Sequence, residues 1–330
     1  MNVSINYFRS TVDAIFRSHG FTEPEAAVCA DEIVESEARG HRSHGAAIVG
    51  DVVKWRQSAS SGPWPGLVRI DDAPAHAFLD GRGGAGPYVA AQAMDLACEK
   101  ATDAGVAVVG VRNPWAFVTA GYNVRRAARS GFLSMNFCGT ASRAAPFGAA
   151  DALLGTNPIG IAVPGDPDPV VLDIATTAIA GAEIRRASRL GHVLPPGTAL
   201  DAEGQPTEDA AEAMLGSILA FGGHRGSGLA AVLELLCGAF LGAKTGLRMT
   251  GSRGMVFLAL RQDLFVDAGA LYAAVAGLRA DVAEARPSRE GGALLPGERG
   301  DRAIDAAKTQ GLEIDARIWV EVEALLEGPS

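Results

Sequence analysis

Nine residues, Glu37-Ala38-Arg39-Gly40-His41-Arg42-Ser43-His44-Gly45, gather two imidazoles, two guanidinium groups, a carboxylate and a hydroxyl between two long helical patterns. An imidazole placed beside a bound carbonyl can polarise or protonate it, so the segment is a candidate active-site hinge. Gly40 suits the end of the helix before it. Ser43 suits the N-cap of a helix after it, because a serine oxygen accepts a bond from an orphan backbone N–H. His44 would then fall in the first helical turn, where the positive end of the helix dipole favours a neutral ring. The plainer reading of the same residues is a capping serine followed by an exposed histidine. His41, two positions before the cap, is expected in solvent.

Three other runs could bear chemistry. Gly222-Gly223-His224-Arg225-Gly226-Ser227-Gly228 precedes an apolar helical stretch at 229–241, and free N–H groups with a fixed charge on Arg225 would suit a phosphate or an anionic sugar. An ordinary flexible helix start fits it equally well. Leu295-Pro296-Gly297-Glu298-Arg299 joins a turn to an acid and a base, which by itself is usually a solvated ion pair worth little. Gly81-Arg82-Gly83-Gly84-Ala85-Gly86 fits G-x-G-x-x-G, follows a strand at 75–79 and precedes a helix opened by Pro87. A dinucleotide fingerprint needs an acid at the end of the next strand, and the strand at 106–111 ends in Arg112-Asn113. The run is therefore read as a tight turn into a helix.

The elements that must hold these groups follow from periodicity. Phe8, Val12, Ile15 and Phe16 share one face of a helix over 7–19, and Thr22-Glu23-Pro24-Glu25 opens a second with a cap, an early proline and acids. After a helix at 121–130 come strands at 132–137, 161–164 and 170–177, separated by turns, which predicts a mainly antiparallel or mixed sheet. Residues 191–209 read as a long surface excursion. A strand at 256–260 and helices at 268–284 and 315–326 complete the chain.

With 330 residues and 48% hydrophobic content, the chain can bury one large core or two lobes. The net charge of −9 is interleaved, with no basic stripe to hold nucleic acid. Cys29, Cys98, Cys138 and Cys237 are far apart and form no C-x-x-C pair, so they read as free thiols of a cytoplasmic protein rather than as metal ligands. The apolar run at 229–240 is broken by Glu234 and Gly238, and neither a signal peptide nor a membrane span is expected.

The run Arg39-Gly40-His41-Arg42-Ser43-His44-Gly45 resembles the opening Arg-Gly-x-x-Ser-His-Gly motif of the type 2 malate/L-lactate dehydrogenase family. These nicotinamide-dependent reductases include ureidoglycolate dehydrogenase, diketogulonate reductase, sulfolactate dehydrogenase and piperideine-carboxylate reductase. Further likenesses follow in the family's order: Gly155-Thr156-Asn157-Pro158, Asp173-Ile174-Ala175-Thr176-Thr177, the Gly222 to Gly228 run, and Pro296-Gly297-Glu298. The resemblance implies an α/β fold of α+β character: a non-Rossmann nicotinamide-binding domain with a mixed or antiparallel sheet, and a helical lobe built from both chain ends. It also implies NAD or NADP as cofactor, a small-molecule substrate and a homodimer. The expected division is 1–115 for the helical lobe and substrate hinge, 116–260 for the cofactor-binding sheet, and 261–330 for a segment returning to the lobe. By the same resemblance His44 is catalytic, Ser43 borders the substrate, and Asp173, Ala175, Thr176, His224, Arg225, Gly297, Glu298 and Arg299 border the dinucleotide.

The pattern breaks on the substrate side. Ile48 and Val52 stand where the family has an arginine and a tyrosine that hold a carboxylate, and Ala116, within Asn113-Pro114-Trp115-Ala116-Phe117-Val118, stands where it has a second histidine. Arg225 and Glu183 each replace a lysine. An alkyl chain cannot replace a bidentate guanidinium grip. The sequence therefore predicts reduction of a C=O or C=N bond in a less acidic substrate or an imine, held in an apolar pocket of Ile48, Val52, Trp115, Ala116 and Phe117. The alternative is a non-redox enzyme, a lyase or isomerase, or a ligand-binding protein on the same scaffold.

Overall fold

Local signals at the start of the chain produce what they predict. In the computed structural model, which describes residues 1–58, 64–115, 118–243, 245–246, 254–288 and 291–327, β1 (Asn2–Val3) leads into α1 (Ile5–Ser18). Ser4 caps α1 by accepting from Tyr7 N, and Phe8, Val12, Ile15 and Phe16 are buried. α2 (Glu23–Ala38) opens on a capping box in which the Glu25 carboxylate accepts from Thr22 N at 2.9 Å. It ends at Arg39, and Gly40 takes a φ of +81°, the left-handed region that glycine enters without strain.

The hinge departs from expectation. No α-helix starts at Ser43: 3₁₀ turns occupy Arg42–His44 and Ala46–Ile48, and α3 (Val49–Ser58) begins after them. The Ser43 hydroxyl lies 3.1 Å from His44 Nδ1 instead of capping backbone amides. His44 therefore has no helix dipole beneath it, and its protonation must be set by other means.

The chain then runs through β2 (Val68–Ala73), β3 (His76–Asp80), α4 (Gly86–Ala104), β4 (Val106–Arg112), α5 (Gly121–Arg129), β5 (Phe132–Cys138), β6 (Ile159–Val163) and β7 (Val170–Ile174). Next come α6 (Gly181–Leu190), β8 (Ala199–Leu200), β9 (Pro206–Thr207), α7 (Ala210–Leu215), β10 (Ser217–Ile218) and α8 (His224–Cys237). β11 (Met255–Arg261), α9 (Ala268–Glu284), α10 (Glu298–Gln310), β12 (Leu312–Glu313) and α11 (Ala316–Ala324) follow.

A seven-stranded mixed sheet has the order β2-β3-β4-β11-β5-β6-β7. β3 and β4 are parallel, joined by α4, and the other neighbours are antiparallel. This is not a doubly wound dinucleotide fold. β11, from late in the chain, sits between β4 and β5, with Met255 opposite both Val111 and Cys138. Three strands of the sheet precede residue 115, so the sheet draws on both sides of that expected boundary. Beneath it Met94 of α4 packs with Val109 and Phe257, all fully buried.

The glycine run after β3 is a turn, as read. Gly83 N donates to Asn113 O at 2.8 Å, Trp115 N donates to Gly84 O at 2.9 Å, and a Cβ on Gly84 would strike the Trp64 indole. Its glycines thus let the turn hold the loop after β4. Residues 191–209 are more than a surface excursion: β8, β9 and β10 form a small antiparallel sheet, and Leu194, Ala199 and Ile218 pack with α6 and α7 in a core of their own. α8 starts earlier than expected, at His224, so Gly226, Ser227 and Gly228 lie inside the helix.

Both chain ends build the helical lobe, as expected. β1 pairs with β12, and Trp319 of α11, 1% exposed, meets Phe8 edge-on with ring centroids 6.0 Å apart. No helix among the described residues is long and apolar enough to cross a membrane. Because Trp319 is the largest side chain buried there, Trp319→Ala should cost about 3–5 kcal/mol. Urea unfolding followed by circular dichroism would read this as a lower midpoint with an unchanged slope.

Candidate active site

The hinge meets the ends of β5 and β7 around a cavity of about 640 Å³. His41, Ser43, His44 and Ile48 line it from the hinge, and Trp115 and Thr119 from the loop after β4. Thr140 and Arg143 follow β5, Asp173 and Ala175 close β7, Arg185 comes from α6, and Arg299 from the first turn of α10. A volume of this size suits a small ligand together with part of a larger one.

Backbone bonds and one carboxylate fix the hinge. His41 N donates to Ser36 O at 2.8 Å and His44 N to His41 O at 2.8 Å, while Ala46 N donates to the Glu37 carboxylate at 2.8 Å. A Cβ on Gly45 would overlap that carboxylate, so the close approach requires glycine. Burial pushes Glu37 up to about 7, against the pull of its Ala46 bond and of Arg42 and Arg186. Burial also pushes the His44 imidazole down to about 4, helped by the charges of His41 and Arg185. The neutral ring anticipated for His44 is thus a product of desolvation.

The opposite wall rests on a second pair of buried acids. Glu32 accepts from Thr119 N at 2.7 Å and from the Thr119 hydroxyl at 3.1 Å, and Asp173 accepts from Gly121 N at 2.8 Å. Trp115 stacks on Trp55 with centroids 4.0 Å apart and planes inclined by 24°.

The structure brings together His44, Ser43, Ile48, Trp115, Asp173, Ala175 and Arg299. Val52 is fully buried in the lobe core and does not line the cavity. Ala116 and Phe117 lie outside the described residues. Thr176, also fully buried, bonds through its hydroxyl to Thr156 O at 2.9 Å. Gly297 takes a φ of +99° against the backbone of Val171, and Glu298 accepts from Arg279 Nε and Leu295 N, both at 3.1 Å. These residues hold the turn that delivers Arg299. His224 and Arg225 are exposed at the start of α8, where the His224 ring meets Phe147 edge-on. Glu183 forms a bidentate pair with Arg186.

Sequence reasoning missed Arg143, Arg185 and the burial of His41. Arg143 follows a strand end, a position from which loops often carry function, but nothing local to Arg185 marks it. His41 is half-buried and lines the cavity, contrary to the expectation of solvent.

A sequence profile described as malate/L-lactate dehydrogenase matches residues 3–323. The chain belongs to the malate/L-lactate dehydrogenase family. It is 33% identical over 319 residues to L-sulfolactate dehydrogenase of Methanocaldococcus jannaschii, covering 94% of this chain and 92% of that one. It is 35% identical over 248 residues to the Delta(1)-pyrroline-2-carboxylate/Delta(1)-piperideine-2-carboxylate reductase of Pseudomonas putida, covering 73% and 72% of the two chains. The solved sulfolactate dehydrogenase from M. jannaschii superposes with a TM-score of 0.88 at 31% identity, over 99% of this chain and 97% of that one. Members of the family are nicotinamide-dependent dehydrogenases, and this chain is an enzyme of that kind. The cavity fits such a cofactor in chemistry: Arg299 is exposed at its rim with no ion pair among the described residues, a cation suited to a phosphate, and Ala175 beside it leaves room.

The dehydrogenase should also show a pH-dependent stability that reports on the wall. Burial pushes Glu32 up to about 8, against its two bonds to Thr119. Its folded value therefore lies above the unfolded one, so its contribution to stability is full below the unfolded value and is lost as pH rises through the folded one. Glu32→Gln keeps an acceptor for Thr119 and does not ionise. It should gain on the wild type by roughly 1–4 kcal/mol between about pH 5 and about pH 8.5, in urea melts at each pH. A constant difference across that range would place the titration of Glu32 elsewhere.

Proposed function

We propose that this enzyme interconverts a C=O or C=N bond and its reduced form in a small substrate that carries an anionic group. One observation carries the reading: His44 shares its cavity with two guanidinium groups, Arg143 and Arg185. The Arg143 guanidinium has Met214 O at 3.3 Å and the Met214 sulfur at 3.7 Å as partners, and no carboxylate among the described residues. Burial and the neighbouring charge of Arg185 disfavour its own charge. An anion there relieves both. Arg185 is 3.4 Å from Asp51, across an exposed pair that a substrate can displace.

The anionic grip thus moves from positions 48 and 52 to 143 and 185, which revises the expectation of a less acidic substrate. The relatives described above are named for sulfolactate and for pyrroline- and piperideine-carboxylates, all acidic molecules. Ile48 and Trp115 give the apolar wall that shapes the rest of the substrate. When bound, the nicotinamide supplies or takes up hydride at the substrate carbon. His44, neutral at ordinary pH, donates a hydrogen bond to the substrate oxygen or nitrogen and so stabilises charge that develops there. Arg299 would hold a phosphate of the dinucleotide, and Thr176, Gly297 and Glu298 hold the backbone around Ala175 and Arg299.

The enzyme works as a homodimer. Of the 17 residues of α9 only Val275 is buried, and Val232 and Leu235 of α8 are more than half exposed, apolar faces that a second copy would cover. Cys29, Cys98, Cys138 and Cys237 are free, which fits a cytoplasmic setting.

Titration with NADH and NADPH, read by fluorescence transfer from protein to cofactor, should show micromolar binding of one of them. Failure of both to bind at near-millimolar concentration would turn the reading to non-redox chemistry. With acidic ketones and cyclic imines as substrates, His44→Ala should slow turnover by roughly 10²- to 10⁴-fold and leave cofactor affinity in place.

A further inference from the structure

The hinge carries two imidazoles, and their electrostatic surroundings differ in one respect. The charges that act on His44 are those of His41 and Arg185, both of which disfavour its protonation, and its Nδ1 faces the Ser43 hydroxyl. His41 faces three cations, Arg125 of α5, Arg299 of α10 and Arg39 at the end of α2, but also Asp173 of β7. Asp173 is the strongest charge acting on His41, and His41 is the strongest acting on Asp173. Both line the main cavity, and both also line a small chamber of about 10 Å³ behind it, bordered by Glu35, Thr119, Tyr122 and Arg125. Of the two rings, His41 has a carboxylate among the charges that act on it and His44 has none.

We infer that His41, with Asp173 behind it, exchanges the proton with the substrate, while His44 contributes a hydrogen bond. The inference rests on the dehydrogenase reading above. In the oxidising direction the substrate O–H or N–H bond breaks, its proton passes to a ring nitrogen of His41, and the C=O or C=N bond forms as hydride leaves the carbon for the dinucleotide. Reduction runs the same step backwards, with the His41 imidazolium giving up its proton. Burial disfavours the charge on Asp173, and His41, the Gly121 N–H bond and Arg125 favour it. Asp173 is a positioning residue that stabilises the imidazolium, the role a carboxylate takes behind any catalytic histidine.

Burial lowers the affinity of His41 for a proton and Asp173 raises it again, so removing the carboxylate must lower it further. Ring titrations by NMR on the protein without ligands should therefore find His41 titrating above His44, and Asp173→Asn should lower the midpoint of His41 by about one unit or more. In activity assays His41→Gln should reduce kcat by roughly 10²-fold or more, abolish the ionisation seen in the pH profile of kcat/KM, and leave the dinucleotide Kd unchanged. His44→Gln should slow the reaction yet keep that ionisation. His41 titrating below His44, or a His41→Gln profile that retains the wild-type ionisation, overturns the proposal, and the wild-type ring titration decides even if Asp173→Asn does not fold. Wild type that binds neither dinucleotide overturns the dehydrogenase reading itself, and this step with it. Normal binding with an unaltered His41→Gln profile overturns this step alone.

Discussion

Buried carboxylates that fasten irregular backbone are the constraint on which the cavity depends. The hinge and the loop after β4 lie outside any strand ladder, so their N–H groups have no regular partners. An amide left unpaired in a dry wall costs about 1–3 kcal/mol. Glu37 answers Ala46 N, Glu32 answers Thr119 N, and Asp173 answers Gly121 N. Two of these acids sit on α2 and the third on β7, so the helical lobe and the sheet each hold part of the rim. The acids bear the cost of the arrangement through their own desolvation, with Glu32 and Glu37 displaced far above the ordinary carboxylate range.

What could be read from the sequence was what is encoded locally. The capping box at Thr22 and Glu25, the helix at 268–284 and the glycine turn at 81–86 all follow from neighbouring residues, and the structure has them. β2 escaped notice because Val68–Ala73 is a polar, exposed edge strand with no apolar alternation of the kind a half-buried strand shows. α8 begins five residues early because Gly226 sits against the backbone of Phe221 and Thr176, a tertiary contact that outweighs glycine's poor helix propensity. Ser43 looked like a cap because its type fits one. No capped helix forms there, and Glu37, nine residues before Ala46 in the chain, holds Ala46 N instead.

The candidate site was legible in its motifs and illegible in its charges. His44, Asp173, Ala175 and Arg299 recur in order along the chain and meet in the cavity. Arg143 and Arg185 belong to no motif, and they reach the cavity because the small sheet and α6 pack against the end of β5. The alkyl side chain at position 48 was visible from the sequence, but the presence of Arg143 and Arg185 in the same cavity was not. Chemistry set by which elements meet cannot be read from any one of them.

The indoles of Trp55 and Trp115 stack on each other against the core of the helical lobe, with Trp115 forming part of the cavity wall. Two aromatic chromophores at that separation couple their excited states, so the pair has an optical signature that depends on their mutual angle. A molecule pressing on that wall would alter the angle. The enzyme therefore carries its own spectroscopic gauge of what occupies the cavity.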